Sequence, residues 1–193
     1  MMRRLATLLC ALPVFALPAY ALDSGYPEAK AREFVSEALK TWASHPVLIS
    51  AVQAQNQRHA TITQSEIDAL DATWMAELGK SLQPTISGVL NTDASKLLRD
   101  QVTEAGGQIT EVFVMDAVGL NVAASDATSD YWQGDEAKFQ QTFPKGPDAI
   151  HISDVEFDES SQVFQVQISF PLTDPVDGRV IGAVTVALNA EHL

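Results

Sequence analysis

A chain of 193 residues, 46% of them hydrophobic, is long enough to bury one core without disulfides. Its 25 acidic residues outnumber the 12 basic ones and leave a formal charge of -13, which argues against nucleic acid and anionic membrane surfaces as partners. The one cysteine, Cys10, excludes a disulfide framework.

Residues 1–21 read as a secretory signal peptide. Met1-Met2-Arg3-Arg4 is a positive leader, Leu5 to Leu17 is apolar, and Ala19-Tyr20-Ala21 places small residues at cleavage spacing. An uncleaved anchor is the alternative, and Pro13 and Pro18 argue against it; Leu9 argues against lipid attachment at Cys10. Cleavage after Ala21 and export to a periplasm are the expectation.

Residues 22–108 read as helical. From Pro27 to Trp42 the positions Ala31, Phe34, Val35, Ala38, Leu39 and Trp42 recur at helical spacing. Pro46 predicts a kink or short break at His45, after which the pattern resumes through Val47, Leu48, Ala51 and Val52. Asn56, Arg58 and His59 read as a capping or solvated helix end. Thr63-Gln64-Ser65-Glu66 fits a capping box, opening a helix from Gln64 to about Leu78. Pro84 and Gly88 read as a loop, and Ala94 to Ala105 as a helix stopped by Gly106-Gly107. Trp42 and Trp74 lie on apolar stripes and read as core.

Residues 109–193 change to alternating periodicity. Strands are predicted over Glu111 to Met115, Leu120 to Ala124, Ala149 to Phe157, Gln162 to Pro171 and Arg179 to Leu188, with a short helix from Asp135 to Gln141. Helices followed by a meander define an α+β fold. In the fourth strand Phe164, Val166, Ile168 and Phe170 share one face, set against the long helix, while Gln165, Gln167 and Ser169 share the other. Asn121, His151, Ser153 and Thr185 extend this second set with amides, hydroxyls and one imidazole. Such a lining suits a covered, partly polar cavity, and the segment around Tyr131-Trp132 is the expected cover. A semi-exposed sheet face is the alternative.

Three stretches resemble Cache domains, the PAS-like extracytoplasmic sensor domains also called PDC domains. They are Val112-Phe113-Val114-Met115-Asp116 with Gly119, the segment Tyr131 to Glu136, and Ser169-Phe170-Pro171-Leu172 with Asp174, Gly178, Ile181-Gly182-Ala183 and Thr185. The resemblance implies a long N-terminal helix packed on a five-stranded antiparallel sheet in the order 2-1-5-4-3, with a ligand pocket on the opposite face. It also implies a small-molecule sensor that works with a histidine kinase, chemoreceptor or diguanylate cyclase, and possible homodimer pairing through the long helix. The chain ends soon after the last predicted strand, so the signal is expected to pass through a separate membrane partner.

The expected ligand site comprises Tyr131, Trp132, Gln133, Asp116, Asn121, His151, Gln165, Gln167, Ser169 and Thr185. The back half offers only Lys138, Lys145 and Arg179 as cations, and no carboxylate clamp is expected among them. An amine or a neutral polar ligand is therefore favoured over a carboxylate, with Asp116, Asp130 and Asp135 beside two aromatics. A ligand-free interaction or dimerisation module is the competing reading. No nucleophile or metal-binding motif is legible, so neither an enzyme, a cofactor nor a metal is expected. The acidic run Asp154, Glu156, Asp158 and Glu159 reads as a solvated hairpin tip.

Overall fold

The computed structural model describes Tyr26 and residues 28–158 and 162–192; the predicted signal peptide lies outside the described residues. Among the described residues, six α-helices and six strands make an α+β fold: α1 (Glu28–Ala38), α2 (Pro46–Arg58), α3 (Gln64–Glu77), α4 (Pro84–Leu90), α5 (Asp93–Glu104), β1 (Ile109–Met115), β2 (Asn121–Ala124), α6 (Ala137–Gln140), β3 (His151–Ile152), β4 (Glu156–Asp158), β5 (Val163–Thr173) and β6 (Val180–Asn189). Among the described residues, no helix is long and apolar enough to cross a membrane.

The long N-terminal helix is two helices rather than one. Five residues after α1, Leu39–Ala43, wind as a π-helix that buries Trp42 and Ala43. His45 then turns extended and caps α2 by accepting from the Val47 amide through Nδ1, while Pro46 takes the first helical position. Proline lacks an amide proton and disfavours helical geometry in the residue before it, so the break falls here. The capping box at Thr63 and Glu66 is formed, with both reciprocal bonds present. α4 occupies the stretch read as a loop: Pro84 opens this seven-residue helix, which buries Ile86 and Val89. Burial of those two side chains outweighs the weak helix propensity of Gly88.

The sheet is antiparallel, in the order β2-β1-β6-β5-β3, and β4 also pairs with β5. It therefore has six strands where five were expected, because the predicted third strand is broken between Ile152 and Glu156. The cause is local. The Gln167 amide donates to the Ser153 hydroxyl at 2.8 Å, where a continuous ladder would offer it a backbone carbonyl.

One sheet face carries the main core. Val112 and Val114 of β1, Val166, Ile168 and Phe170 of β5, and Val184, Val186 and Leu188 of β6 pack against Ala31, Ala38, Leu48, Ile49, Val52, Ala94 and Leu98 from the helices. Phe34 and Val35 pack on it as well, so the apolar stripe of α1 is buried within its own fold. Phe164 lies beyond the core at the end of that face: it is 52% exposed and meets Phe157 edge-on at 5.3 Å. α2 lies close because β6 has Gly182 beneath it. A Cβ there would collide with the Met115 carbonyl oxygen and press on Val52.

Candidate functional site

The opposite sheet face holds a cavity of about 330 Å³. Glu111 and Phe113 of β1 and Gln165 and Gln167 of β5 form its floor, as alternation along each strand requires once Val112 and Val166 face the helices. Leu78, residues 127–129, Gln133, Lys138 and Asp158 complete its lining.

The cover is tied down at many points. The Asp71 carboxylate accepts from the backbone amides of both Tyr131 and Trp132, at 2.8 and 2.9 Å. The Trp74 indole donates to the Thr128 carbonyl at 2.8 Å, and Asn121 Nδ2 donates to the Thr128 hydroxyl and the Asp130 carbonyl. Asn121 Oδ1 is the one buried side-chain polar atom among the described residues with no partner.

Three of the ten expected site residues, Gln133, Gln165 and Gln167, line this cavity. Tyr131 turns away and stacks on Trp74, with ring centroids 5.0 Å apart, in a second apolar cluster. Burial pushes the Tyr131 hydroxyl up to about 12, with Asp116 adding to the rise and Arg58 opposing it. Trp132 lies over Gly134 and donates its indole N–H to the Val118 carbonyl at 2.8 Å. A Cβ on Gly134 would strike that ring, which accounts for the glycine. Ser169 and Thr185 are fully buried and bond each other at 3.0 Å. His151 pairs with Ser169 at the sheet edge, its imidazole held below the usual value by burial and by Lys138, against Asp154.

Asp116 serves the fold. Its Oδ1 accepts from the Val118 and Leu120 amides, and its Oδ2 from Gln55 Nε2 at 3.0 Å and His59 Nδ1 at 2.6 Å. Asn56 adds a second tie, donating to the Ile181 carbonyl and accepting from the Ala117 amide. The helix end read as solvated is thus a latch between α2 and the β1–β2 turn.

The sequence reading missed Glu111, and it placed Lys138 outside the site. Glu111 is the only acid within β1, and strict alternation from Phe113 was the signal that could have found it. Lys138 lines the cavity, which corrects the expectation that no cation would lie there. Its Nζ meets Glu136 Oε2 at 2.9 Å and Gln133 Oε1 at 3.2 Å, and stands 5.4 Å from the centre of the Phe113 ring. Among the described residues the side chains of Glu111 and Gln167 have no hydrogen-bond partner, whereas Gln165 Oε1 accepts from the Thr110 hydroxyl and Ser129 bonds Asp130. Burial raises the Glu111 carboxyl to about 7; Lys138 opposes the rise, and Asp158 and Asp126 add to it.

Other clefts are as large. One of about 370 Å³ lies between α1 and residues 147–150, and one of about 410 Å³ lies between α2 and α4. Neither brings together a half-buried acid without a hydrogen-bond partner and a cation.

No family model matches the sequence, and a search of curated proteins found no relative. Solved structures do match. The ligand-binding domain of the Campylobacter jejuni chemoreceptor Tlp3 in complex with 4-methylisoleucine is 15% identical, with a TM-score of 0.40 over 87% of this chain and 65% of that one. The sensor domain of the V. cholerae histidine kinase DctB is 13% identical, at 0.34 over 84% and 57%. An extracellular ligand binding receptor from Desulfohalobium retbaense is 17% identical, at 0.40 over 75% and 25%. The chain spans less than two thirds of the length of each of these three. By their names these are a chemoreceptor's ligand-binding domain, an extracellular ligand-binding receptor and a histidine kinase's sensor domain.

Proposed function

We propose that this protein is a periplasmic sensor domain of the Cache type, exported through residues 1–21, whose cavity over Glu111, Phe113, Gln165 and Gln167 takes a small polar molecule. It signals through a separate membrane receptor, kinase or cyclase. The observation that carries this reading is an acid with no hydrogen-bond partner among the described residues, lining a cavity beside a lysine and two glutamines. A half-buried carboxyl without a hydrogen-bond partner lowers stability, so its presence in a cavity points to a ligand that completes it. The volume falls at the small end of the range for ligand pockets, about 300–1,000 Å³.

Thermal-shift and calorimetric screening against amines, amino acids, organic acids and nucleobases tests the proposal. One class is expected to raise the melting temperature with one site per chain, and Gln167→Ala should weaken it about tenfold, the loss of one buried hydrogen bond. Absence of any stabilising ligand, or a ligand indifferent to Gln167→Ala and Gln133→Ala, would count against a sensor site here.

A further inference from the structure

We propose that Glu111 selects the ligand: as a carboxylate it receives the ammonium group of a small primary amine, and filling the cavity therefore requires that Glu111 give up its proton. This inference rests on the cavity being the ligand site and names the chemistry that the site accepts.

The charges around the cavity carry the argument. Glu111 and Asp158 are its acids, and Lys138 is its one cation among the described lining residues. Lys138 is already engaged, by Glu136 and Gln133 in its own segment, so its donors are taken although its charge also acts on Glu111. A carboxylate ligand would meet two acids and a lysine that must first leave Glu136. A neutral ligand would meet Glu111 as a protonated acid and gain no ion pair from it. A protonated amine supplies both a charge and three donors, and a charge-assisted bond is about twice as strong as a neutral one. The free side-chain amide of Gln167, on the neighbouring part of the floor, can take a hydroxyl or carbonyl at the other end of the molecule.

Proton linkage follows from the same geometry. Lys138 from α6, Asp158 from β4 and Asp126 beyond β2 are the charged groups that act on Glu111, and the net effect with burial brings its carboxyl to about 7. A primary amine stays protonated to about pH 10. Below neutrality the amine must displace a proton from Glu111, so apparent affinity falls with acid; above neutrality it levels off.

Titration calorimetry of the full chain with ethanolamine and 1,4-diaminobutane, and with ethylene glycol and 1,4-butanediol as neutral counterparts, reads this directly. An amine is expected to bind about tenfold more tightly at pH 8 than at pH 6, from the protonation equilibrium of one group near 7. At pH 6, buffers of different ionisation enthalpy should reveal close to one proton released per amine bound. Glu111→Gln, checked for folding by circular dichroism, should remove the pH dependence and most of the amine affinity. Gln133→Ala should weaken binding and keep the pH dependence. Amine binding unchanged in Glu111→Gln, or tighter at pH 6, overturns the proposal. So does a carboxylate or neutral ligand that binds this cavity while no amine does, although the sensor reading would stand. Failure of every ligand class would remove the sensor reading itself, and this proposal with it.

Discussion

Glu111 acts on the stability of the protein as well as on its cavity. The carboxyl holds its proton up to about 7 in the folded chain, against a reference of 4.5. Between those values the folded state binds more proton than the unfolded state, so stability falls as pH rises through that window, by an amount on the order of 3 kcal/mol. Glu111→Gln keeps the shape and removes the charge. It is expected to raise the unfolding free energy by about 1–3 kcal/mol at pH 8 and to change little at pH 4.5. Urea unfolding at the two values checks this, and an equal effect at both would show that the carboxyl is not desolvated. Asp116 is the reverse case at the same scale. Four donors converge on its two oxygens, so its burial is fully matched and its place is structural.

At the scale of elements, the segment over the cavity is hung from α3. Asp71 holds two of its amides and Trp74 holds Thr128 while stacking on Tyr131. Trp74 is fully buried, whereas Trp132 is only half-buried, against the turn at Val118. Trp74→Ala is therefore expected to cost about 3–5 kcal/mol of stability and Trp132→Ala only about 1–2 kcal/mol. Chemical denaturation would decide it, and the opposite ranking would mean that the cover is anchored at the β1–β2 turn. The elements themselves were largely legible. Period-two alternation in β5 and β6, the Thr63 capping box and the Gly106-Gly107 stop are local signals, and local signals survive in sequence. α4 was not legible, because its Pro84 and Gly88 resemble loop residues and only burial of Ile86 and Val89 tells otherwise. The broken third strand was not legible either, since a single Ser153 hydroxyl replaces a backbone acceptor there.

For the whole molecule, the excess of acidic residues sets the response to salt. A formal charge of -13 repels itself across a domain of this size, and ions shorten the reach of that repulsion to about 10 Å at 0.1 M and less above it. Raising sodium chloride from about 0.05 to 0.5 M should raise the melting temperature by a few degrees, from relief of this repulsion. A fall would mean that ion pairs such as Lys138 with Glu136 outweigh it. The sequence by itself determined the α+β class, the two-sided character of the sheet and the presence of a polar face, because alternation and helical spacing are properties of consecutive residues. Only the tertiary structure decided which polar residues meet. Tyr131 and Trp132 were the conspicuous candidates, and they turned away from the cavity onto Trp74 and Gly134. Glu111 and Lys138, 27 positions apart and each unremarkable in its own stretch, line one cavity because the fold brings β1 and α6 to the same sheet face. The physical reason is that a side chain's direction is set by its element, but its neighbours are set by which elements the core brings into contact.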